Sequence, residues 1–285
     1  MKKYILPFMS IAMLMAMASC SSSDDAVAEN KAESKLVPMT FTATQESNVG
    51  TRSALNGSNG VDWQTNDKIS VFDGTGEEGN HQFSLTGDVK DGIFSGTASS
   101  EATQFTAVYP YTDGAQLESD GIVNGITLPA VQTATAGSFD PKAALMMAYT
   151  TDKSKLDFKN AVSLVKVTTQ FACRKIGLSA YEYIAGTGTL SYNNGEPSIA
   201  FDSNQSRTVT LIPADGESVI AAGTYYIAIR PHTSIGFSIV FINSDNSKLY
   251  TRRNEQKNTF SRSRIKNLGI FSEYPTSSWT VITDL

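Results

Sequence analysis

The chain has 285 residues, of which 40% are hydrophobic, 18% charged and 9% aromatic, with a formal net charge of −5 at pH 7. That is apolar enough to bury a core, and too acidic for a global field that would gather nucleic acid or anionic lipid, so no nucleic-acid partner is expected. Two Cys and two His exclude a disulfide scaffold and leave little for a metal centre or a histidine base, so no metal, cofactor or catalytic residue is expected.

Residues 1–19 read as an export signal. Lys2 and Lys3 form a positive start, and Tyr4 to Ala18 are uncharged and rich in Met, Leu, Ile and Ala. That apolar run is shorter than the ~20 residues a spanning helix needs. Small Ala18 and Ser19 precede Cys20, which Ser21, Ser22, Ser23, Asp24 and Asp25 follow at once. This arrangement resembles a bacterial lipobox, with Met17 where Leu is more usual, and the resemblance implies that Cys20 is acylated and becomes the first mature residue. The other reading is an ordinary cleaved signal with an incidental Cys. Acyl chains contribute ~0.8 kcal/mol per buried methylene, enough in combination for a durable anchor. Residues 20–36 are polar and read as a tether.

Alternation begins at Val37. Val37, Met39, Phe41 and Ala43 fall on one face and Pro38, Thr40, Thr42 and Thr44 on the other, which predicts a strand over Val37–Gln45. Further strands are predicted at Ile69–Phe72, Gln82–Leu85, Phe105–Tyr109, Leu164–Thr169, Thr208–Ile212, Tyr225–Ile229, Phe237–Ile242 and Trp279–Ile282. Turn dipeptides separate the runs, among them Asp73-Gly74, Asp113-Gly114, Asn194-Gly195 and Asp215-Gly216. Many short strands with regular turns predict an all-β chain of antiparallel sandwiches. One short helix is predicted over Pro141–Tyr149, with Asp140 as its N-cap and Pro141 at the first helical position. The polar stretch Thr150–Leu156 marks an expected boundary between an N-terminal domain, 37–155, and a C-terminal domain, 156–285.

Gly74-Thr-Gly76-Glu-Glu-Gly79 matches the dinucleotide pattern, but Asn80 to Leu85 continues as a strand and Glu77 and Glu78 would repel phosphate; it reads as a hairpin loop. No nucleophile elbow, zinc-protease pair, Walker loop or EF-hand loop occurs. Paired carboxylates of a hydrolase are a matter of space and stay open at this point. His81 alternates with strand residues and His232 follows Pro231 in a turn, so both read as structural. Trp63 alternates with Val61 and reads as core, and Cys173 as a small buried apolar group. The basic run from Lys248 to Lys266 reads as a solvated hairpin whose charges discourage edge pairing, with contact to an acidic surface as the alternative.

Several segments taken in order resemble the fimbrillin-like (Mfa-like) family of fimbrial subunits and surface lipoproteins of the Bacteroides group. They are Thr51-Arg52-Ser53, Val61-Asp-Trp63-Gln-Thr-Asn-Asp67-Lys-Ile69-Ser-Val71-Phe72, Tyr109-Pro110-Tyr111 and Leu128-Pro129-Ala-Val-Gln132. Phe158-Lys159-Asn160-Ala-Val-Ser-Leu164, Gly223-Thr-Tyr225-Tyr226-Ile227-Ala-Ile229-Arg230-Pro231 and Lys266-Asn267-Leu268-Gly269 complete the series. The Ser-Ser-Ser-Asp-Asp run after Cys20 is similar to the surface-export tag of lipoproteins of that group. Two departures are Asn66, where the family often has Gly, and Asn160, where a His is frequent.

The resemblance implies two tandem transthyretin-like sandwiches in a lipidated, surface-exposed precursor at the cell outer membrane. It implies assembly with other fimbrial subunits: a protease cuts after an Arg in the loop behind the first strand, and a neighbour's strand fills the groove left open. On this chain the matching positions are Arg52 and Ser53 for the cut, and Trp279, Val281 and Leu285, within Tyr274–Leu285, for the donated strand. The other reading of Arg52 is an uncut loop cation, and that of the tail a strand that closes its own sheet. The other functional expectation is a non-polymerising surface protein that binds a glycan or a host protein.

Overall fold

The computed structural model describes residues 35–46, 63–74, 79–272 and 280–282. In chain order the strands are β1 (Leu36–Gln45), β2 (Lys68–Phe72), β3 (Asn80–Leu85), β4 (Ile93–Ser99), β5 (Phe105–Tyr109), β6 (Gln116–Leu117), β7 (Val123–Leu128), β8 (Val131–Thr133), β9 (Met146–Thr150), β10 (Lys155–Asn160) and β11 (Ser163–Thr169). There follow β12 (Cys173–Ala180), β13 (Ala185–Asn193), β14 (Glu196–Ser206), β15 (Thr208–Ile212), β16 (Gly223–Ile229), β17 (His232–Ser234), β18 (Phe237–Asn243), β19 (Leu249–Asn254), β20 (Asn258–Phe260), β21 (Ile265–Phe271) and β22 (Thr280–Ile282). The chain is all-β, as the alternation and turn signals predict.

Turn chemistry sets several of the connections. Asn194 and Gly195 have φ of 51° and 78°, the two positive values a type I′ hairpin needs, and they join β13 to β14. Asn66 adopts φ 76°, so the position where the resembled family often carries Gly is a left-handed one that Asn also accepts.

The first sheet closes on itself in the order β1-β10-β9-β5-β2-β3-β4, with β4 returning to β1. Two separate antiparallel layers were expected here; the closure arises because β1 bridges β4 in antiparallel fashion and β10 in parallel fashion. A parallel pair cannot come from a tight turn, and these partners are far apart in sequence, so no local signal announces the pairing. The polar stretch Thr150–Leu156 is the hairpin between β9 and β10, which places β10 in this first sheet beside β1.

The predicted helix over Pro141–Tyr149 is reduced to one 3-10 turn, Pro141–Ala143. Its cap is as expected: the Asp140 carboxylate accepts from Lys142 N at 2.9 Å. Beyond it Ala144 to Ala148 are buried, and β9 hydrogen-bonds to β5 on one edge and β10 on the other. A helix there would forfeit both ladders, so tertiary pairing overrides the local preference.

Two hydrophobic cores result. The first fills the closed sheet and is aromatic: Phe41, Trp63, Phe72, Phe83, Phe94, Phe105 and Phe158 are all buried in it. Trp63 meets Phe94, Tyr109 and Phe158 edge-on at 4.9, 5.4 and 5.8 Å, the geometry the ring quadrupoles favour. The second core is mostly aliphatic, built on Val165, Val167, Ile176, Leu178, Leu211, Ile227 and Ile239, and it includes the buried Cys173. Between them stands a small sheet, β16-β11-β21. Leu164, Tyr226 and Ala228 face the first core, while Val165, Val167, Tyr225, Ile227 and Ile229 face the second. A strand covered on both faces needs a continuous apolar run, and Tyr225-Tyr-Ile-Ala-Ile229 is one. The second core is closed on its far side by the sheet β22-β19-β18-β12-β15-β8; a four-stranded sheet, β14-β13-β7-β6, and the pair β17-β20 complete the fold.

Candidate strand-exchange site

β1 is the strand that completes the closed sheet, and its side chains divide as the sequence predicts. Phe41 and Ala43 are buried, Met39 is half-buried, and Thr40, Thr42 and Leu36 are exposed. The Phe41 ring lies 5.2 Å from Phe105 and 5.5 Å from Phe83. Fully burying such a side chain contributes about 1.5–3 kcal/mol. Phe41 is therefore the main apolar anchor of β1.

Backbone bonds hold the strand on both edges. From Leu36↔Ser99 to Thr42↔Ile93 it pairs with β4, and from Thr42↔Lys155 to Gln45↔Phe158 with β10. Ala43 N donates to Gly92 O at 2.7 Å, Thr42 N to Ser154 O at 2.8 Å, and the Trp63 indole N–H to Ala43 O at 3.3 Å. This close approach depends on Gly92, whose φ is +60°: a Cβ there would lie 2.4 Å from Ala43 O and 2.9 Å from Trp63 Nε1.

At the C-terminal end of β1 a charged clamp ties the strand to distant parts of the chain. The Arg262 guanidinium donates to both Glu46 oxygens, at 2.6 and 3.1 Å, to Asn160 O at 2.9 Å and to Glu196 Oε1 at 3.0 Å. Glu46 N donates to Phe158 O at 2.8 Å, and Asn160 N to Glu46 Oε2 at 3.3 Å. The side chains of Arg262 and Glu46 are 15% and 13% exposed, so solvent screens them little. Burial works against the Arg262 charge, but its hydrogen bonds to Glu46 and Glu196 outweigh that and hold its pKa above the usual arginine value. Planar fork geometry of this kind is what arginine supplies and lysine does not. Asn160, where the resembled family often has His, is part of this clamp, and its Nδ2 donates to Ser263 Oγ at 3.3 Å.

The basic run from Lys248 to Lys266 is expected from sequence to be a set of solvated hairpin charges. Arg252 and Arg253 are indeed exposed, whereas Arg262 is a half-buried partner of Glu46. No pattern in the sequence marks that pair, which only the fold brings together.

Of the residues singled out from sequence, Cys20, Arg52, Ser53, Trp279 and Leu285 lie outside the described residues. The described part of the loop behind β1 ends at Glu46, six residues before Arg52. Val281 is described: it sits in β22, opposite Tyr250 of β19, and is 40% exposed at the edge of the six-stranded sheet.

His81, His232 and Asp67 make local contacts within the fold. His81 Nε2 lies 2.9 Å from Asp73 Oδ2, and the His232 ring stacks on Phe260 at 4.9 Å with Nδ1 2.8 Å from Arg230 O. Asp67 accepts from Gln64 N at 2.7 Å and Tyr109 OH at 2.9 Å, closing the turn before β2; burial raises its pKa against those bonds. Among the described residues no group of three or more His, Cys, Asp or Glu is placed to hold a metal ion. The site consists of ladder groups on both edges of β1, the Phe41 anchor and a charged clamp.

No family model matches the chain, and no curated protein matches it. Among solved structures it is similar to a candidate cell adhesion protein from Bacteroides uniformis, at 15% identity and TM-score 0.49, covering 86% of this chain and 98% of that one. A candidate cell adhesion protein from Bacteroides ovatus aligns at 13% identity and TM-score 0.49, over 88% and 97% of the two chains. A fimbrial protein from Bacteroides ovatus aligns at 14% identity and TM-score 0.40, over 84% of this chain and 50% of that one.

Proposed function

We propose that the chain is a surface lipoprotein of fimbrillin type, a fimbrial subunit or accessory subunit that assembles by strand donation and supports adhesion. The observation that carries this reading is the position of β1: a single strand closes the first sheet, and the chain leaves it toward the Thr51-Arg52-Ser53 motif. Loss of β1 would leave the facing edges of β4 and β10 unpaired and the Phe83 and Phe105 rings without their Phe41 contact. An edge in that state takes up a replacement strand, because ladder groups and empty pockets are costly in water.

On this reading 37–155 and 156–285 are two transthyretin-like sandwich domains, the second also lending Leu156, Phe158, Leu164, Leu190 and Tyr226 to the first core. Cys20 carries the lipid, residues 20–36 tether the protein at the outer membrane, Arg52–Ser53 is the cut, and the Tyr274–Leu285 segment with Trp279, Val281 and Leu285 is donated. The partners are other subunits of the same kind, and no step is catalytic.

Shearing surface material and sequencing its N-terminus tests the proposal. A start at Ser53, with SDS-resistant ladders that disappear on deletion of Tyr274–Leu285, is the expected result. A monomer that still begins at acylated Cys20, and binds glycan or host protein after that deletion, overturns it in favour of a non-polymerising surface protein.

A further inference from the structure

The strand that closes the first sheet ends on a charge. Phe41 packs against Phe83 and Phe105, Thr42 is exposed, Ala43 is buried, and Glu46, five residues after Phe41, sits on Arg262. The C-terminal segment repeats that order of chemistry in the same chain direction. Trp279, Thr280, Val281 and Asp284 stand at the spacing of Phe41, Thr42, Ala43 and Glu46, with the acid again five residues after the aromatic. Among the described residues little holds this segment: β22 pairs with β19 at three positions, and its Val281 and Ile282 are 40% and 44% exposed.

A cut after Arg52 would remove Glu46 together with β1, because both precede it in the chain. Arg262 would keep Asn160 O and the largely exposed Glu196, and would lose the carboxylate that both its terminal nitrogens now contact. A guanidinium that is 15% exposed pays heavily for a lost partner, and an incoming strand restores the balance by bringing an acid to the same place. Phe158 O and Asn160 N, which now bond to Glu46, are vacated at the same time.

We infer that Arg262 selects the donated strand and sets its register: the tail of a second copy enters along the path of β1, with Trp279 at the Phe41 site, Val281 at the Ala43 site and Asp284 on Arg262. This inference rests on the strand-donation reading above. Alternation leaves three registers that turn Trp279 inward. With Trp279 at the Met39 position, Asp284 falls at the Thr44 position, opposite Asp157, whose Oδ1 accepts from the Thr44 hydroxyl. Two carboxylates would then face each other while Arg262 stayed unmatched. With Trp279 at the Ala43 position, Ser277 falls at the Phe41 site and the Phe83 and Phe105 rings go without their aromatic contact. The middle register gives an aromatic ring to the aromatic site and an acid to the arginine. It also puts Ser277 where the half-buried Met39 was, which leaves room for an indole larger than the Phe41 ring.

The test uses the full chain in cells that export and assemble it. The Asp284→Lys chain keeps both members of the Glu46–Arg262 clamp, so it probes docking rather than that contact. Its SDS-resistant ladders should fall at least tenfold below the parent, and Asp284→Glu should restore them. If Asp284→Lys is not exported, Asp284→Asn carries the same expectation. Register is read by oxidative cross-linking. Lys155 stands opposite Thr42, so a chain with Lys155→Cys and Thr280→Cys should form disulfides between subunits. Lys155→Cys with Ile282→Cys reports the register that places Trp279 at Met39, and should give at least tenfold fewer. Full ladders from Asp284→Lys, or cross-linking through Ile282→Cys instead, overturn the inference and leave strand donation standing. A parent chain that gives neither ladders nor cross-links overturns donation, and this inference with it.

Discussion

The clamp at the end of β1 allows a quantitative test through Arg262→Met, which keeps an apolar stem and removes the charge and the fork. Glu46 would then keep its contact with Asn160 N and lose both guanidinium bonds. Removing one partner of a fully buried pair costs about 3–5 kcal/mol. With 13–15% exposure the expectation here is somewhat smaller, about 2–4 kcal/mol. The Arg262 bond to Glu196 adds little, since that carboxylate is 64% exposed. At roughly 2–4 °C per kcal/mol for a chain of this size, the melting midpoint should fall by about 5–15 °C. Urea unfolding followed by Trp63 fluorescence gives the free energy, because that indole packs beside Ala43 of β1. A double-mutant cycle with Glu46→Gln isolates the pair and should return a coupling above about 1 kcal/mol. Additive effects, or a loss below about 0.5 kcal/mol for Arg262→Met, would show that β1 is held by its ladder and Phe41 alone.

Two further expectations concern buried titratable groups. Burial pushes the Cys173 thiol up to about 12, so in a Cys20→Ser chain it should resist a thiol reagent at pH 8 and react fully in denaturant; rapid stoichiometric labelling of the folded protein would contradict its burial. Burial lowers the His232 pKa below 6.5, against the raising effects of its bond to the Arg230 carbonyl and of nearby Glu182. The unfolded state therefore binds the proton more readily, so stability should fall as pH drops through the unfolded value near ~6.5 and level off below the folded one. Melting curves between about pH 7.5 and 5.5 should show this slope in the parent and a flatter one in His232→Gln; identical slopes would assign the pH dependence elsewhere.

Individual strands were legible because half-burial imposes a period of two. Phe105–Tyr109 and Thr208–Ile212 match their predicted limits, and β1 begins one residue early at Leu36. Turn residues were legible for a similarly local reason, as at Asn194-Gly195, where positive φ at both positions restricts the choice. The Pro141–Tyr149 segment failed because its cap is local and correct while its continuation is decided by two neighbouring strands. The Glu46–Arg262 clamp could not be read because its members are distant in the sequence and neither belongs to a spaced motif.

The sequence alone determined an all-β chain, the places of nine of the twenty-two described strands and of several turns, and the aromatic anchors such as Phe41 and Trp63, since each follows from contacts between near neighbours and from which face meets water. Tertiary structure alone decided that β1 runs parallel to β10 and closes a sheet, that β11 and β16 serve two cores at once, and that Arg262 meets Glu46 at the end of β1. Those arrangements depend on partners many residues apart, and loop-closure entropy grows so slowly with separation that the chain carries almost no local record of which distant strands will meet.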